Sequence, residues 1–335
     1  MTLEARSLGR RGLAVSRLGL GLAALGRPGY ITLGRDRDLG TQRDPETMYQ
    51  RAAAVLDAAR AAGIRYLDAA RSYGRAEEFL ARWLRERAVP ADATTVGSKW
   101  GYAYTAGWRV DATVHEEKAL TLERFRVQLA ESRALLGERL ALYQIHSATL
   151  ESGCLDDAAL LAALAEARRS GAVQAIGLTL SGPRSADTLR AAFEARVDGE
   201  PVFDAVQATF NLLEPSLAPL LAEARGRGMG VVAKEVHANG RLTAANGRPE
   251  DSALVARLRV HAARGGLAVD QLALAFVLAH DAVDVALSGA ATPAQLASHV
   301  AAAGAAILPE VRAALAGEAE SPEPYWRTRA SLPWA

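Results

Sequence analysis

With 335 residues, half of them hydrophobic, the chain can bury a large core and is too apolar to be mainly disordered. Its formal charge of +1 gives no pull toward nucleic acid or an anionic membrane, and it has no run of about 18 apolar residues that would span one. A single cysteine, Cys154, cannot close an internal disulfide, and the N-terminal stretch has no apolar signal core, which together predict a reducing, cytoplasmic setting.

Short β-rich runs alternate with alanine-rich helical runs. In chain order the strands are expected at 18–22 (LGLGL), 64–68 (IRYLD), 94–99 (TTVGSK), 140–146 (LALYQIH), 173–179 (VQAIGLT), 203–209 (FDAVQAT), 229–234 (MGVVAK) and 283–289 (VDVALSG). Helical segments lie between them, and several end at a glycine: Gly63, Gly171, Gly228. Alternation of this kind predicts parallel βαβ units, and eight strands are the number that closes a (β/α)8 barrel. An open doubly wound sheet is the rival, but Gly19 and Gly21 are not followed by the phosphate-binding glycine pattern it needs.

Three segments exceed ordinary connections and read as long loops. The first runs from Gly26 to Asp44. The second follows strand three and gathers Trp100, Tyr102, Tyr104 and Trp108. The third is the C-terminal tail, with Tyr325, Trp326 and Trp334 among prolines. Aromatics are only 6% of the chain, so these are local enrichments. Loops at the C-terminal ends of barrel strands build active sites, and Trp100, Tyr102, Tyr104, Trp108, Tyr325 and Trp326 are therefore read as substrate-pocket walls; the plainer reading is that they pin loops to the barrel.

Four polar residues fall at the C-terminal ends of consecutive predicted strands: Asp68, Tyr73 in the turn after it, Lys99 and His146. In a closed parallel barrel those ends share one face. Alternation puts Thr95, Gly97 and Lys99 on one side of their strand and Leu142, Gln144 and His146 on one side of theirs. Lysine is scarce: of 39 basic residues only Lys99, Lys118 and Lys234 are lysines, so a lysine at a strand end stands out. Singly, each of the four has a structural explanation as a turn cap, a packing tyrosine, a solvated charge or a core histidine. Jointly they suit carbonyl reduction. A developing alkoxide needs a proton, Tyr73 can give it, Lys99 held by Asp68 is expected to lower the tyrosine's pKa, and His146 can hydrogen-bond the carbonyl oxygen.

The stretch GIRYLDAARSYGRAEE resembles the signature of the aldo-keto reductase family, SKWG its lysine strand and LYQIHSATL its histidine strand. The opening SLGRRGLAVSRLGLGLAALG resembles its N-terminal hairpin and first strand, and FNLLEP, HANGRL and GAATPAQL match weaker positions. The resemblance runs from about Ser7 to about Ala303, so that one barrel domain over 1–335 is expected, with a core at about 7–303 and a tail at 304–335. It implies Asp68, Tyr73, Lys99 and His146 as catalytic residues, NADP(H) or NAD(H) as cofactor, no metal, and a small carbonyl or alcohol as substrate. The pattern is most similar to bacterial members related to sugar dehydrogenases.

Carried over position by position, the resemblance implies cofactor contacts at Gly21, Gln207 and Gly289, with Thr179 in place of a serine and Ser181 standing in for an asparagine that Leu180 replaces. Lys234, expected to face inward while Glu235 faces outward, would lie under the pyrophosphate, with Asn239, Gly240 and Arg241 completing a cradle. Gln295 matches an adenine contact and His299 replaces an asparagine. Ala291 stands where members that read a 2′-phosphate carry a cation, which leaves NADP(H) and NAD(H) both open. The alternative is a non-redox cyclase, isomerase or dehydratase on the same fold. Nothing in the sequence sets an oligomeric state.

Overall fold

The structure, a computed structural model, describes residues 3–334. Among these, eight parallel strands close into a barrel: β1 Leu18–Gly21, β2 Tyr66–Asp68, β3 Thr95–Trp100, β4 Leu140–Ala148, β5 Ala175–Leu180, β6 Ala205–Thr209, β7 Gly230–Lys234 and β8 Val285–Ser288. Each pairs with its sequence neighbours, and β8 pairs with β1 to complete the ring. All eight predicted strands are present. The fold is a (β/α)8 barrel, as the alternation of elements predicted.

The helices obey local chemistry. Helix Pro45–Ala61 starts with Asp44 accepting the Thr47 amide at 3.0 Å and with proline in its first turn. Thr121 and Asp157 cap helices Leu122–Leu136 and Ala158–Arg169 in the same way. Gly63, Gly171 and Gly228 stand past helix ends at positive φ.

Alternation along the strands sorts side chains into two cores. One face meets the helices, where Leu20, Leu67, Ile145 and Leu178 are buried, each contributing about 1.5–3 kcal/mol by leaving water. The other fills the barrel, where Tyr66, Leu142, Val232 and Val285 are sealed from below by Leu8, Leu13 and Val15. These last belong to the antiparallel N-terminal hairpin Ala5–Leu8 and Leu13–Ser16. The apolar filling ends beneath the C-terminal ends of the strands, where the interior becomes polar.

The long segments hold more structure than their composition suggested. The first contains a short helix, Arg35–Leu39. The second folds into an antiparallel pair, Tyr102–Tyr104 with Glu116–Lys118. The third contains helices Pro309–Leu315 and Pro322–Ala330, the latter packed over the end of β7. Their lack of a clear apolar period concealed these elements in the sequence.

Candidate active site

Asp68 ends β2 and points into the barrel among four donors. Lys99 Nζ forms an ion pair with its Oδ2, while its Oδ1 accepts Gln207 Nε2 at 3.0 Å, the Tyr66 hydroxyl at 3.2 Å and Gln144 Nε2 at 3.4 Å. Gly97 makes this possible: a Cβ there would lie 2.3 Å from the Tyr66 hydroxyl. Lys99, wholly buried, also donates to the Ala69 carbonyl at 2.9 Å. Both charges are thus paired and hydrogen-bonded, the condition under which burial is tolerated.

Tyr73 sits in the turn after β2. Gly74 beside it has φ of +60°, and a Cβ there would lie 2.5 Å from the Gly26 carbonyl oxygen, so the turn closes against the first long segment only with glycine. Lys99 Nζ is 4.7 Å from the Tyr73 ring centroid, and the His146 ring meets Tyr73 edge-on at 5.4 Å. The sequence brings Asp68, Tyr73, Lys99 and His146 together as expected. The expected fall in the Tyr73 pKa is overturned. Burial, then the Asp68 carboxylate, push the hydroxyl well above its ordinary value, because Asp68 already answers the lysine's charge. Tyr73 is held protonated. His146 is driven the other way, by burial and then by Lys99 and Lys234, and stays neutral.

Asp68, Tyr73 and His146 line the inner end of a cavity of about 630 Å³ that continues over β7 and β8, with Lys99 buried behind them off the wall. Of the expected cofactor residues, Gly21, Ser181, Gln207 and Lys234 line it, as do Asn239, Gly240, Gly289, Gln295 and His299. Two do not. Thr179 is buried off the wall, accepting the Ser147 amide at 2.7 Å where β4 breaks register. Arg241 is clamped between Asp251 and Glu320, with its Nη2 2.9 Å and 2.6 Å from their carboxylates, and serves the packing of the C-terminal segment.

Lys234 and Glu235 correct another expectation. The strand stops at Lys234, and Glu235 adopts φ of +53°, so both side chains reach the cavity rather than opposite faces. Glu235 accepts from Arg329 Nη2 at 2.7 Å and from Thr209 Oγ1 at 3.1 Å. Burial alone would raise its pKa, but Arg329 and Lys234 hold it down at about 2. Burial brings Lys234 down to about 8, and its ammonium donates to Thr209 Oγ1 at 2.9 Å.

Among the expected pocket aromatics only Tyr102 lines the cavity, edge-on to His146 at 4.9 Å. Trp100 follows inward-facing Lys99, so alternation turns it outward onto Phe125, ring to ring at 5.1 Å. Trp108 donates to the Arg43 carbonyl at 2.6 Å and packs on Phe79, and Tyr104 lies off the wall in the outer strand pair. Tyr325 shares a 2.9 Å hydrogen bond with Asn211, and Trp326 packs edge-on to Tyr325; both anchor the last helix. That segment instead sends Arg329 and Trp334 to the wall. Trp334 stacks on His115 at 4.0 Å and lies 5.0 Å from the Arg27 guanidinium, which also pairs with Glu116 and faces the Tyr73 ring at 5.2 Å.

The profile of the aldo/keto reductase family matches residues 17–316. The chain belongs to the aldo/keto reductase family. It is 31% identical over 249 residues to a D-threo-aldose 1-dehydrogenase from a Pseudomonas species, covering 69% of this chain and 68% of the relative. Among solved structures it resembles an aldo-keto reductase from Bacillus halodurans in holo form, with a TM-score of 0.72 and 21% identity over 95% of this chain and 97% of that one. A Pseudomonas aeruginosa structure assigned to the same family superposes with a TM-score of 0.64 at 26% identity, covering 90% of this chain and 96% of the other. This aldo-keto reductase is thus an oxidoreductase by family and by relative.

Several cavity residues of this aldo-keto reductase escaped sequence reasoning: Arg27, Tyr30, Arg35 and Asp38 in the first long segment, Glu116 in the second and Arg329 in the tail. The signal available was the unusual length of those segments, which marked the regions but not the side chains.

Proposed function

We propose that this aldo-keto reductase interconverts a carbonyl and an alcohol with a nicotinamide dinucleotide, NADP(H) or NAD(H), and that Tyr73 gives the proton to the substrate oxygen. One observation carries the reading. Tyr73 is buried at the inner end of the cavity, kept protonated, with a paired lysine and a neutral histidine beside it.

The cavity suits a dinucleotide. Its volume lies in the range of small-molecule sites, about 300–1,000 Å³. Two buried polar atoms on its wall, Asn239 Oδ1 and Arg35 Nε, have no partner within the protein. In this reading Gly21, Ser181 and Gln207 hold the nicotinamide end, Lys234, Asn239 and Gly240 the pyrophosphate, and Gly289, Gln295 and His299 the adenosine. When bound, that group supplies or accepts the hydride.

The chain's own residues handle the proton and the charge. Tyr73 donates to the oxygen as negative charge develops there. Arg27, facing the Tyr73 ring at 5.2 Å, favours the resulting phenolate, while Lys99, fixed by Asp68 and the Ala69 carbonyl, keeps the neighbouring carboxylate paired. His146, neutral, donates a hydrogen bond to the same oxygen and orients it. Arg27, Tyr30 and Trp334 screen the inner end from water. The alternation of charged and aromatic groups there suits a polyhydroxylated substrate, and the aldose dehydrogenase relative supports a sugar or sugar-like alcohol. A non-redox acid–base enzyme would use the same four residues but leaves the outer arm of the cavity without an occupant.

The test is a titration of the protein's tryptophan fluorescence with NADH and with NADPH, followed by turnover against a panel of aldoses and aldehydes. Micromolar binding of at least one is expected, with its oxidation by an aldehyde of the panel or reduction of its oxidised form by an aldose. Absence of binding to both would overturn the redox reading in favour of the acid–base one.

A further inference from the structure

The outer arm of the cavity differs in charge from the inner end. It is bounded by Asp38 of the short helix Arg35–Leu39, Asp270 at the start of helix Val269–Leu278, and Gln295 and His299 of helix Pro293–Ala302. These side chains come from the ring of helices outside the barrel, whereas Asp68 and Lys99 point to its axis. A dinucleotide with its nicotinamide beside Tyr73 must therefore place its adenosine ribose here. The unpartnered Asn239 Oδ1, on a residue 6% exposed, marks the approach to this arm as built for a ligand.

The arm offers acceptors, and the arginines near it, Arg35 and Arg37, are turned to backbone carbonyls. Asp38 Oδ2 accepts Gln295 Nε2 at 2.8 Å, and Gln295 Oε1 accepts the Ala291 amide at 2.8 Å, so Asp38 is fixed in place while its other oxygen has no recorded partner. Asp270 Oδ2 accepts the Ser298 hydroxyl at 2.7 Å. The two histidines supply no charge. His237 and His299 stack at 4.4 Å, and burial lowers the pKa of both. The four cations of the cavity are committed elsewhere: Lys234 to Thr209, Arg329 to Glu235, Arg27 to Glu116, and Arg35 to the carbonyls of Ala24 and Arg27.

From this we infer that Asp38, positioned by Gln295, selects the unphosphorylated cofactor NAD(H) by accepting a ribose hydroxyl and repelling a 2′-phosphate. The inference rests on the dinucleotide reading above. A carboxylate accepts from hydroxyls and repels a dianionic phosphate, a repulsion moderated by the exposure of Asp38 and favoured by the engagement of Arg35 and Arg37 with backbone carbonyls. Carboxylates in dinucleotide sites of other folds discriminate in this way. Asp270, held by Ser298 of the helix that also carries Gln295, adds to the same negative field.

The experiment is a fluorescence titration of the wild type, Asp38→Asn and Asp38→Ala with NADH and NADPH, repeated with 5′-ADP and 2′,5′-ADP, which report on the adenosine end without any chemistry. Wild type should bind NADH at least about tenfold more tightly than NADPH, a difference of about 1.4 kcal/mol, and should prefer 5′-ADP over 2′,5′-ADP. Both variants should shrink that ratio, with NADPH gaining and NADH losing. Equal or tighter binding of NADPH by the wild type, or an unchanged ratio in folded Asp38 variants, would overturn the role of Asp38 while leaving the redox reading intact. Binding of neither dinucleotide would overturn both.

Discussion

The two ends of the cavity treat charge in opposite ways. At the inner end each cation has a carboxylate within reach: Asp68 pairs with Lys99, Glu116 with Arg27, and Glu235 serves both Arg329 and Lys234. At the outer end neither Asp38 nor Asp270 pairs with an arginine or lysine among the described residues, and the histidines beside them are neutral. Paired charges suit a place where charge must appear and vanish during a reaction, because fixed dipoles and ions there need little reorganisation. Unbalanced acceptors suit recognition of neutral hydroxyls. In the proposed reading one cavity carries a reacting end and a reading end, and the difference lies in whether a carboxylate has its cation.

Breaking a pair at the inner end should have the largest effect. Lys99→Met leaves Asp68 buried and unanswered, which should cost about 3–5 kcal/mol in urea unfolding. The double variant Lys99→Met with Asp68→Asn should recover much of that stability and none of the turnover. Recovery of turnover in the double variant would mean the pair is structural and takes no part in the chemistry.

A smaller effect is expected at Glu235. Its folded pKa of about 2 lies below the usual value of 4.5, so the unfolded chain binds more protons between these limits. The stability it contributes is complete above about pH 4.5 and is lost as pH falls toward 2. Glu235→Gln should flatten that part of the urea midpoint against pH, although the variant also leaves Arg329 and Lys234 facing each other without a carboxylate. An unchanged acid limb would contradict the ion cluster described at the end of β7.

Much of this organisation is legible in the sequence. Strand period and strand number give the barrel, and the positions of Asp68, Tyr73, Lys99 and His146 at strand ends give the reacting end. What escapes depends on contacts between distant residues or on a single backbone angle. Trp100 is instructive, since the same alternation that turns Lys99 inward turns its neighbour outward, and local aromatic enrichment hid this. Glu235 reaches the cavity because its φ is +53°, which no pattern of residue types announces. Arg329 and Trp334 arrive from the tail, and Arg27 and Asp38 from a segment whose length was its only signal. The direction of the Tyr73 shift was missed because the neighbouring lysine was counted without the carboxylate that neutralises it.

The central claim is that Tyr73 is the proton donor at the reacting end, and Tyr73→Phe tests it most directly. Turnover of the variant should be measured beside wild type on the same substrate, with dinucleotide binding followed by tryptophan fluorescence in the same preparation. The account predicts turnover lower by about a hundredfold or more with binding unchanged, because only the acid is removed. Turnover near the wild-type level, with the dinucleotide still bound, would contradict it.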